Sequence, residues 1–456
     1  IDLTTGGASL NAPTVVLRAT NGDVSAALTG TTNLTVETAG HFNVANTGTL
    51  STLQVTADGE VAAAGPGSAV TAKGGNQGLT AMATGATTFD LDFKSTTAAS
   101  FYYVESSNQI SDIGVITSAG TFGGGGRIDV SAPVANIVAS GVTTGGAALF
   151  VNTSGDIALT SLATAGGTVN VYTSAGTIDL NSVNSGGGSV AARTSGDNTH
   201  HVNVTEVLSL GGNVNLTADN GNIVRAGAQP FQINTLNGQA LPNGTVTLSA
   251  LNGSIGSSGN PLLVNGAVGL NVSALDAIEV NLSASVLTSL SVTATASGSG
   301  AINIVDSGTF SGLSLSRNGT DLLLGALVPG ALASFSLTAT NGNIIVGGDI
   351  SGVSALALNA GYGYNSTGNL SIVASGGARS VMANTYDLRA GNDLTIASGA
   401  GSNETVTVGQ TGSSGHNYLY AGHDINVTAN GGTALVSHNA SGWTQVIDAG
   451  HDIRIT

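Results

Sequence analysis

The chain of 456 residues has no cysteine and is poor in charged and aromatic residues. Without cysteine it can form no disulfide bond and carry out no thiol chemistry, which is compatible with export of an unfolded chain. Charged residues make up 8% of the chain, and 26 acidic against 10 basic residues give a net charge of −16. The basic residues are scattered singly, so nucleic acid and anionic membranes are excluded as favoured partners.

Long hydrophobic runs and helical patterns are also lacking. No apolar run approaches the length that a membrane span requires, and no signal peptide is present. The chain begins at Ile1 without methionine, within residues typical of a strand, and stops at Thr456 just after another strand pattern. We therefore expect a segment of a longer chain, with any targeting signal and terminal caps outside it.

A short phrase repeats near the C-terminus: AGNDLTI at 390–396, AGHDINV at 421–427 and AGHDIRI at 449–455. A looser form relates GGTVNVYTSAGTIDL at 166–180 to GGNVNLTADNGNIV at 211–224. The turn glycines mark the register from Gly155 to Gly450, with Gly319 as one of these marks, and their mean spacing is about 25 residues. Such a period indicates stacked repeats.

Apolar residues within each repeat alternate with polar ones, as in Val169 and Val171 or Ile425 and Val427. This pattern predicts strands with one buried face. The chain is therefore predicted to be all-β, a right-handed parallel β-helix of roughly 19 coils of about 25 residues. Residues 1–456 form a single β-helix segment in this interpretation, with an irregular coil or loop insertion at 86–125. The 68 glycines are expected to serve turns that need positive φ.

The strand GGxVxV, the turn and strand TxxGxI and the copies of AGxDIxV resemble filamentous-haemagglutinin-type repeats. The resemblance covers nearly the whole chain, most strongly 145–256 and 336–456. It implies a shaft segment of a large adhesin that is secreted by two-partner secretion to the bacterial cell surface. The implied partners are an extracellular glycan, a matrix polysaccharide or a host surface receptor, and an outer-membrane transporter during export. Lateral or end-to-end self-association of such shafts is a further expectation.

Two other functions are compatible with a β-helix, namely a carbohydrate-active lyase or hydrolase and the stick of a contact-dependent toxin delivery protein. Glycoside hydrolases need two carboxylates facing one another across the scissile bond. Asp393, Asp424 and Asp452 share one register, but Asp in a turn commonly caps its own backbone. We therefore predict no catalytic, cofactor-binding or metal-binding residue, and no enzymatic activity.

Histidine raises the alternative of a metal site. His423 and His451 each follow a marker glycine, and in adjacent coils they would stand about 5 Å apart, a separation at which an imidazole pair could bind an ion. We interpret both as outward turn residues.

Aromatic residues are the candidates for surface recognition, since their rings suit sugar faces and protein anchors. Three of them lie within 86–125, where they could instead plug a wider core. Tyr420 aligns with Arg389 and Asp448 of the neighbouring repeats, so we expect it on the outside. The candidates are Phe101, Tyr102, Tyr103, Tyr420 and Trp443.

Overall fold

The structure is a computed structural model. It describes residues 1–3, 9–31, 33–38, 42–46, 52–57, 61–65, 70–73, 78–83, 93–95, 101–106, 116–118, 128–132, 136–139, 142–144, 146–153, 155–295, 298–306, 310–318, 320–329, 332–363, 367–411, 415–438 and 444–456. The chain divides into two compact units, Ile1–Gln239 and Ala240–Thr456. All regular structure within the described ranges is β-strand. That the whole chain forms a single β-helix segment stays a prediction.

The described residues of the first unit contain 28 strands. They are β1 (Asp2–Leu3), β2 (Leu10–Asn11), β3 (Thr14–Ala19), β4 (Val24–Thr29), β5 (Asn33–Thr38), β6 (Phe42–Asn46), β7 (Thr52–Ala57), β8 (Val61–Gly65), β9 (Val70–Lys73), β10 (Gly78–Ala83), β11 (Phe93–Ser95), β12 (Phe101–Ser106), β13 (Ile116–Ser118), β14 (Ile128–Ala132), β15 (Asn136–Ala139), β16 (Val142–Thr144), β17 (Ala148–Asn152), β18 (Asp156–Leu159), β19 (Leu162–Thr164), β20 (Val169–Thr173), β21 (Ile178–Leu180), β22 (Val183–Asn184), β23 (Val190–Thr194), β24 (Val202–Val204), β25 (Val207–Leu208), β26 (Val214–Ala218), β27 (Ile223–Arg225) and β28 (Ile233–Asn234).

These strands pair in parallel and stack into columns. One column runs through β4, β6, β8, β10, β12, β14, β17, β20, β23 and β26. A second holds β3, β5, β7 and β9. Two more hold β15, β18, β21, β24 and β27, and β13, β16, β19, β22, β25 and β28. From β17 onward each coil adds one strand to each of three columns, and the predicted parallel β-helix is confirmed.

The predicted irregular region at 86–125 contains β11, β12 and β13. β12 pairs in parallel with β10 and β14, and β11 with β13. The residues that connect these strands lie outside the described ranges, so the loop insertion stays a prediction.

The core of the first unit is built from aligned alternate residues. Phe150, Val171, Ala192 and Leu216 are register partners in successive coils, and all four are buried. The residues between them face outward because successive side chains of a strand point to opposite faces. Full burial of a side chain such as Leu216 contributes about 1.5–3 kcal/mol. Each coil therefore depends on the coils above and below for its stability.

Several turn glycines are required by close packing between coils. A Cβ on Gly176 would overlap the main-chain carbonyl of Gly155 in the preceding coil. A Cβ on Gly188 would overlap the carbonyl of Gly167, and one on Gly212 the carbonyl of Gly188. None of these three glycines has positive φ, although other glycines of the chain do. Positive φ is thus the wrong explanation at these positions, since the backbones of adjacent coils approach too closely for any side chain.

Within the described part of the second unit there are 20 strands. They are β29 (Thr245–Ala250), β30 (Leu262–Asn265), β31 (Gly269–Ala274), β32 (Ile278–Ser283), β33 (Ser289–Ala294), β34 (Ile302–Asp306), β35 (Phe310–Asn318), β36 (Asp321–Pro329), β37 (Leu332–Ala339), β38 (Asn343–Val346), β39 (Ile350–Ala360), β40 (Leu370–Val373), β41 (Arg379–Ala390), β42 (Leu394–Ala397), β43 (Val406–Gln410), β44 (Asn417–Ala421), β45 (Ile425–Thr428), β46 (Ala434–Ser437), β47 (Gln445–Ala449) and β48 (Ile453–Ile455).

The second unit repeats the parallel stacking. Its longest column runs through β29, β31, β33, β37, β39, β41, β44 and β47. A second column holds β36, β38, β40, β42, β45 and β48, and a third holds β30, β32 and β34. β43 and β46 stack on the first half of β41.

An antiparallel hairpin interrupts this regular succession. β35 and β36 form an antiparallel pair. The parallel column passes over them, because β33 pairs directly with β37 and Ala294 is the register partner of Ala339. From the sequence, Gly319 is expected to mark the turn of an ordinary coil. That expectation is wrong, because residue 319 falls between two antiparallel strands. The dipeptide Asn318-Gly319, with Leu313 and Leu315 before it and Leu322–Leu324 after it, is itself a hairpin signal.

Candidate functional site: a tyrosine–arginine surface and a histidine corner

The outward face of the longest column in the second unit carries the first candidate site. Arg389 of β41 is the register partner of Tyr420 of β44, which in turn is the partner of Asp448 of β47. The alternation in β44 buries Asn417 and Leu419 and leaves Tyr418 and Tyr420 partly exposed. The prediction that Tyr420 lies outside, in line with Arg389 and Asp448, is confirmed.

Arg389 joins the tyrosines into one surface. Its guanidinium carbon lies 4.8 Å from the ring centroid of Tyr420 and 5.4 Å from that of Tyr362. The rings of Tyr418 and Tyr420 stack with centroids 5.8 Å apart and planes 12° apart. We call Tyr362, Arg389, Tyr418 and Tyr420 the tyrosine–arginine surface. Cation–π contacts of this kind hold the guanidinium against the rings.

Asp387 holds the guanidinium of Arg389 in place through two hydrogen bonds. Nε and Nη2 of Arg389 each donate a hydrogen bond of 2.8 Å to a carboxylate oxygen of Asp387, two residues earlier in the same strand. These hydrogen bonds raise the pKa of Arg389. The charge of the guanidinium is balanced locally, and both oxygens of Asp387 are engaged.

A groove of about 240 Å³ lies beside Tyr418. Its lining combines partly exposed polar groups, Asp387 and His416 among them, with small residues and with buried apolar side chains. Tyr386, also on the lining, is one of the largest fully buried side chains of the described residues, and burial raises its pKa to about 12. The lining residues with exposed or partly exposed side chains are Ser334, Ser336, Ala355, Ala357, Thr385, Asp387, His416 and Tyr418.

The five predicted recognition residues are not all described. Phe101, Tyr102 and Tyr103 open β12, whose backbone register is given, but their side chains lie outside the description. Trp443 also lies outside the described residues. Of the five, only the side chain of Tyr420 is described. It lies beside Tyr418, Tyr362 and Arg389. Sequence reasoning missed the role of Arg389, which the register partnership with Tyr420 could have indicated.

A ladder of side-chain caps forms the second candidate site. Oδ1 of Asn369 accepts a hydrogen bond from the main-chain N–H of Asp393, and Oδ1 of Asp393 accepts one from Asp424. Oδ1 of Asp424 accepts one from Asp452 in the next coil, and Asn343 begins the series by accepting from Asn369. We call these five residues the corner ladder. The predicted acidic column is confirmed as a turn feature, with the difference that each carboxylate caps the following coil rather than its own turn.

His423 and His451 stand on this ladder. Nδ1 of His423 lies 3.1 Å from Oδ1 of Asp393, and Nδ1 of His451 lies 3.1 Å from Oδ1 of Asp424. The two imidazoles are stacked, with centroids 4.9 Å apart and planes 2° apart. Their side chains are 52% and 60% exposed. The predicted separation and outward position are confirmed.

Asp424 is the most constrained member of the ladder. Burial raises the pKa of this carboxyl, but hydrogen bonds from Arg454 and His451 outweigh burial, and the pKa lies below its ordinary value. Nη1 of Arg454 reaches Oδ2 of Asp424, and its Nη2 pairs with Asp452. One potential ligand atom from each of His423, Asp424 and His451 lies within 4.8 Å of the others.

The fold and these two sites define a parallel β-solenoid with an aromatic surface and a capped histidine corner on its outer side. Comparison of the chain with family models, with curated proteins and with solved structures finds no match. A search of the described residues finds no membrane-spanning helix.

Proposed function

We propose that the chain is a shaft segment of a large secreted bacterial surface adhesin of the filamentous-haemagglutinin type, which attaches cells to surfaces or to a biofilm matrix. Stacked parallel coils can extend a long support, as repeat proteins do. The resemblance of the repeat phrases supports this family, export through an outer-membrane transporter and a cell-surface location. The observation that carries an adhesive role is the tyrosine–arginine surface on the outward face of the coils.

The chemistry of this surface favours a glycan as its ligand. Tyrosine rings offer apolar faces that can pack against the C–H groups of a sugar, and their hydroxyls can bond to sugar hydroxyls. The adjoining groove adds His416 and Ser336 as donors and acceptors. Because Asp387 balances the charge of Arg389 and the chain carries a net charge of −16, a neutral polysaccharide fits better than an acidic one.

The test is retention of the purified chain on a panel of insoluble neutral and acidic polysaccharides. The variant Tyr418→Ala with Tyr420→Ala should lose retention on the neutral matrices. Tyr172→Ala is the matched control, since Tyr172 is exposed on the first unit and its hydroxyl bonds to Ser195. Equal retention of all three proteins would show that these tyrosines do not bind glycan, and preference for acidic matrices would contradict the neutral specificity.

A carbohydrate-active enzyme is the second candidate because Asp387 and His416 line one groove. A two-carboxylate hydrolase is disfavoured there, since Asp387 is the one acidic residue among the described lining residues and Arg389 engages both of its oxygens. Incubation with the same polysaccharides, followed by assays for new reducing ends and for unsaturated products, separates the two functions. Product formation that disappears in His416→Gln would favour the enzyme.

A further inference from the structure

We propose that His423 and His451 form a surface binding site for one divalent transition-metal ion, Zn²⁺, Ni²⁺ or Cu²⁺, coordinated through the Nε2 atoms of both imidazoles. The site is independent of the tyrosine–arginine surface and of glycan binding. Imidazole nitrogen is a preferred ligand for these ions and a poor one for Ca²⁺ or Mg²⁺.

The contacts of the two histidines with ladder carboxylates determine which imidazole nitrogen is free to bind a metal ion. Nδ1 of each histidine lies 3.1 Å from a carboxylate oxygen, Asp393 for His423 and Asp424 for His451. An ionised carboxylate only accepts hydrogen bonds, so Nδ1 must carry the proton in both rings. A neutral ring protonated on Nδ1 carries its lone pair on Nε2. A carboxylate on the remote nitrogen is also the usual support of a metal-binding histidine.

The stacking of the coils then places the two donors side by side. The rings are parallel within 2° and their centroids are 4.9 Å apart. Each Nδ1 also faces a carboxylate of the preceding coil, so we infer that the two Nε2 atoms lie on corresponding edges of the rings. Since Zn–N bonds measure about 2.0–2.1 Å, two nitrogens on one ion lie at most about 4.2 Å apart. Both rings must therefore turn out of their stacked arrangement, because the lone pair of each Nε2 lies in its ring plane and the two planes have to converge on the ion. Side chains that are 52% and 60% exposed have the freedom to do so.

Asp424 acts as a positioning residue in this proposal, although one of its oxygens lies near both imidazoles. Its Oδ1 caps the main-chain N–H of Asp452, and its Oδ2 is held by Arg454. Direct coordination by Asp424 would break these contacts, whereas coordination through Nε2 keeps them. Water or a hydroxyl of a partner molecule completes the coordination sphere.

The experiment is titration of the purified full chain with Zn²⁺ by calorimetry and with Cu²⁺ by electron paramagnetic resonance. We expect one ion per chain, with hyperfine coupling to two imidazole nitrogens for Cu²⁺. His423→Gln and His451→Gln should each abolish that signal, because one imidazole cannot chelate. His416→Gln, which removes an exposed histidine elsewhere, should leave it unchanged.

A further variant distinguishes this geometry from adventitious binding. Asp393→Asn leaves an oxygen that can cap Asp424 but removes the carboxylate from His423, and loss of such a support typically weakens metal binding by about 10- to 100-fold. Circular dichroism confirms that each variant is folded. No bound ion in the wild-type chain, or an undiminished signal in His423→Gln and His451→Gln, overturns the proposal.

Discussion

Replacing Gly176 by alanine should destabilise the first unit more than its single added methyl group suggests. The new Cβ would overlap the carbonyl oxygen and carbon of Gly155 and the nitrogen of Asp156, all backbone atoms of the preceding coil. A backbone carbonyl cannot rotate away as a side chain can, so the two coils must move apart. Overpacking of this kind costs about 1–3 kcal/mol.

Gly238 provides the matched control for this change. It belongs to the same unit, has no positive φ, and has no atom within 4 Å of the position a Cβ would occupy. Gly238→Ala should therefore be neutral or stabilising by about 0.4–1 kcal/mol, because alanine restricts the unfolded chain.

Urea unfolding followed by circular dichroism measures both variants, and hydrogen exchange locates the effect. Amides near residues 155–157 should lose protection in Gly176→Ala because that interface is strained. Equal urea midpoints for the two variants would refute the argument that close approach of the coils requires glycine at position 176.

Three further predictions test the second unit. Phe335→Ala empties one of the largest fully buried sites and should cost about 3–5 kcal/mol in urea unfolding; a loss below about 1 kcal/mol would contradict tight packing there. Asn417→Ala removes the buried acceptor of the Tyr386 main-chain N–H, at 2.9 Å, and should cost about 1–3 kcal/mol in the same assay. The pKa of Asp424 is lowered in the folded state, so its contribution to stability is present above the unfolded value of about 3.9 and is lost as pH falls through the folded value. Asp424→Asn should accordingly flatten the decline of the melting temperature below about pH 4, and an unchanged acid profile would contradict this assignment.

The strands and their buried faces follow from the sequence because a period of two residues reports directly on a half-buried strand. The shared register of Asp393, Asp424 and Asp452, and the spacing of His423 and His451, follow from the three copies of one phrase. The alternation of apolar and polar residues does not determine which strand pairs with which.

The hairpin of β35 and β36 was missed for that reason, since Leu313 and Leu315, like Leu322 and Leu324, keep the two-residue spacing of a coil strand. The tyrosine–arginine surface also depends on more than local pattern. Tyr362 lies in a turn, Arg389 in β41 and Tyr420 in β44, and the intervening lengths vary too much for spacing to bring them together. Tyr386 is similar in sequence context to the surface tyrosines but is buried because its position in β41 alternates with that of Asp387.

The corner ladder has a polarity. At each step the accepting side chain belongs to the earlier coil and the donated N–H to the later one, from Asn343 through Asn369, Asp393 and Asp424 to Asp452. A newly added coil thus finds the acceptor for its main-chain N–H already in place on the coil before it. Assembly that proceeds coil by coil from the N-terminal side therefore completes each of these hydrogen bonds as soon as the next coil is added.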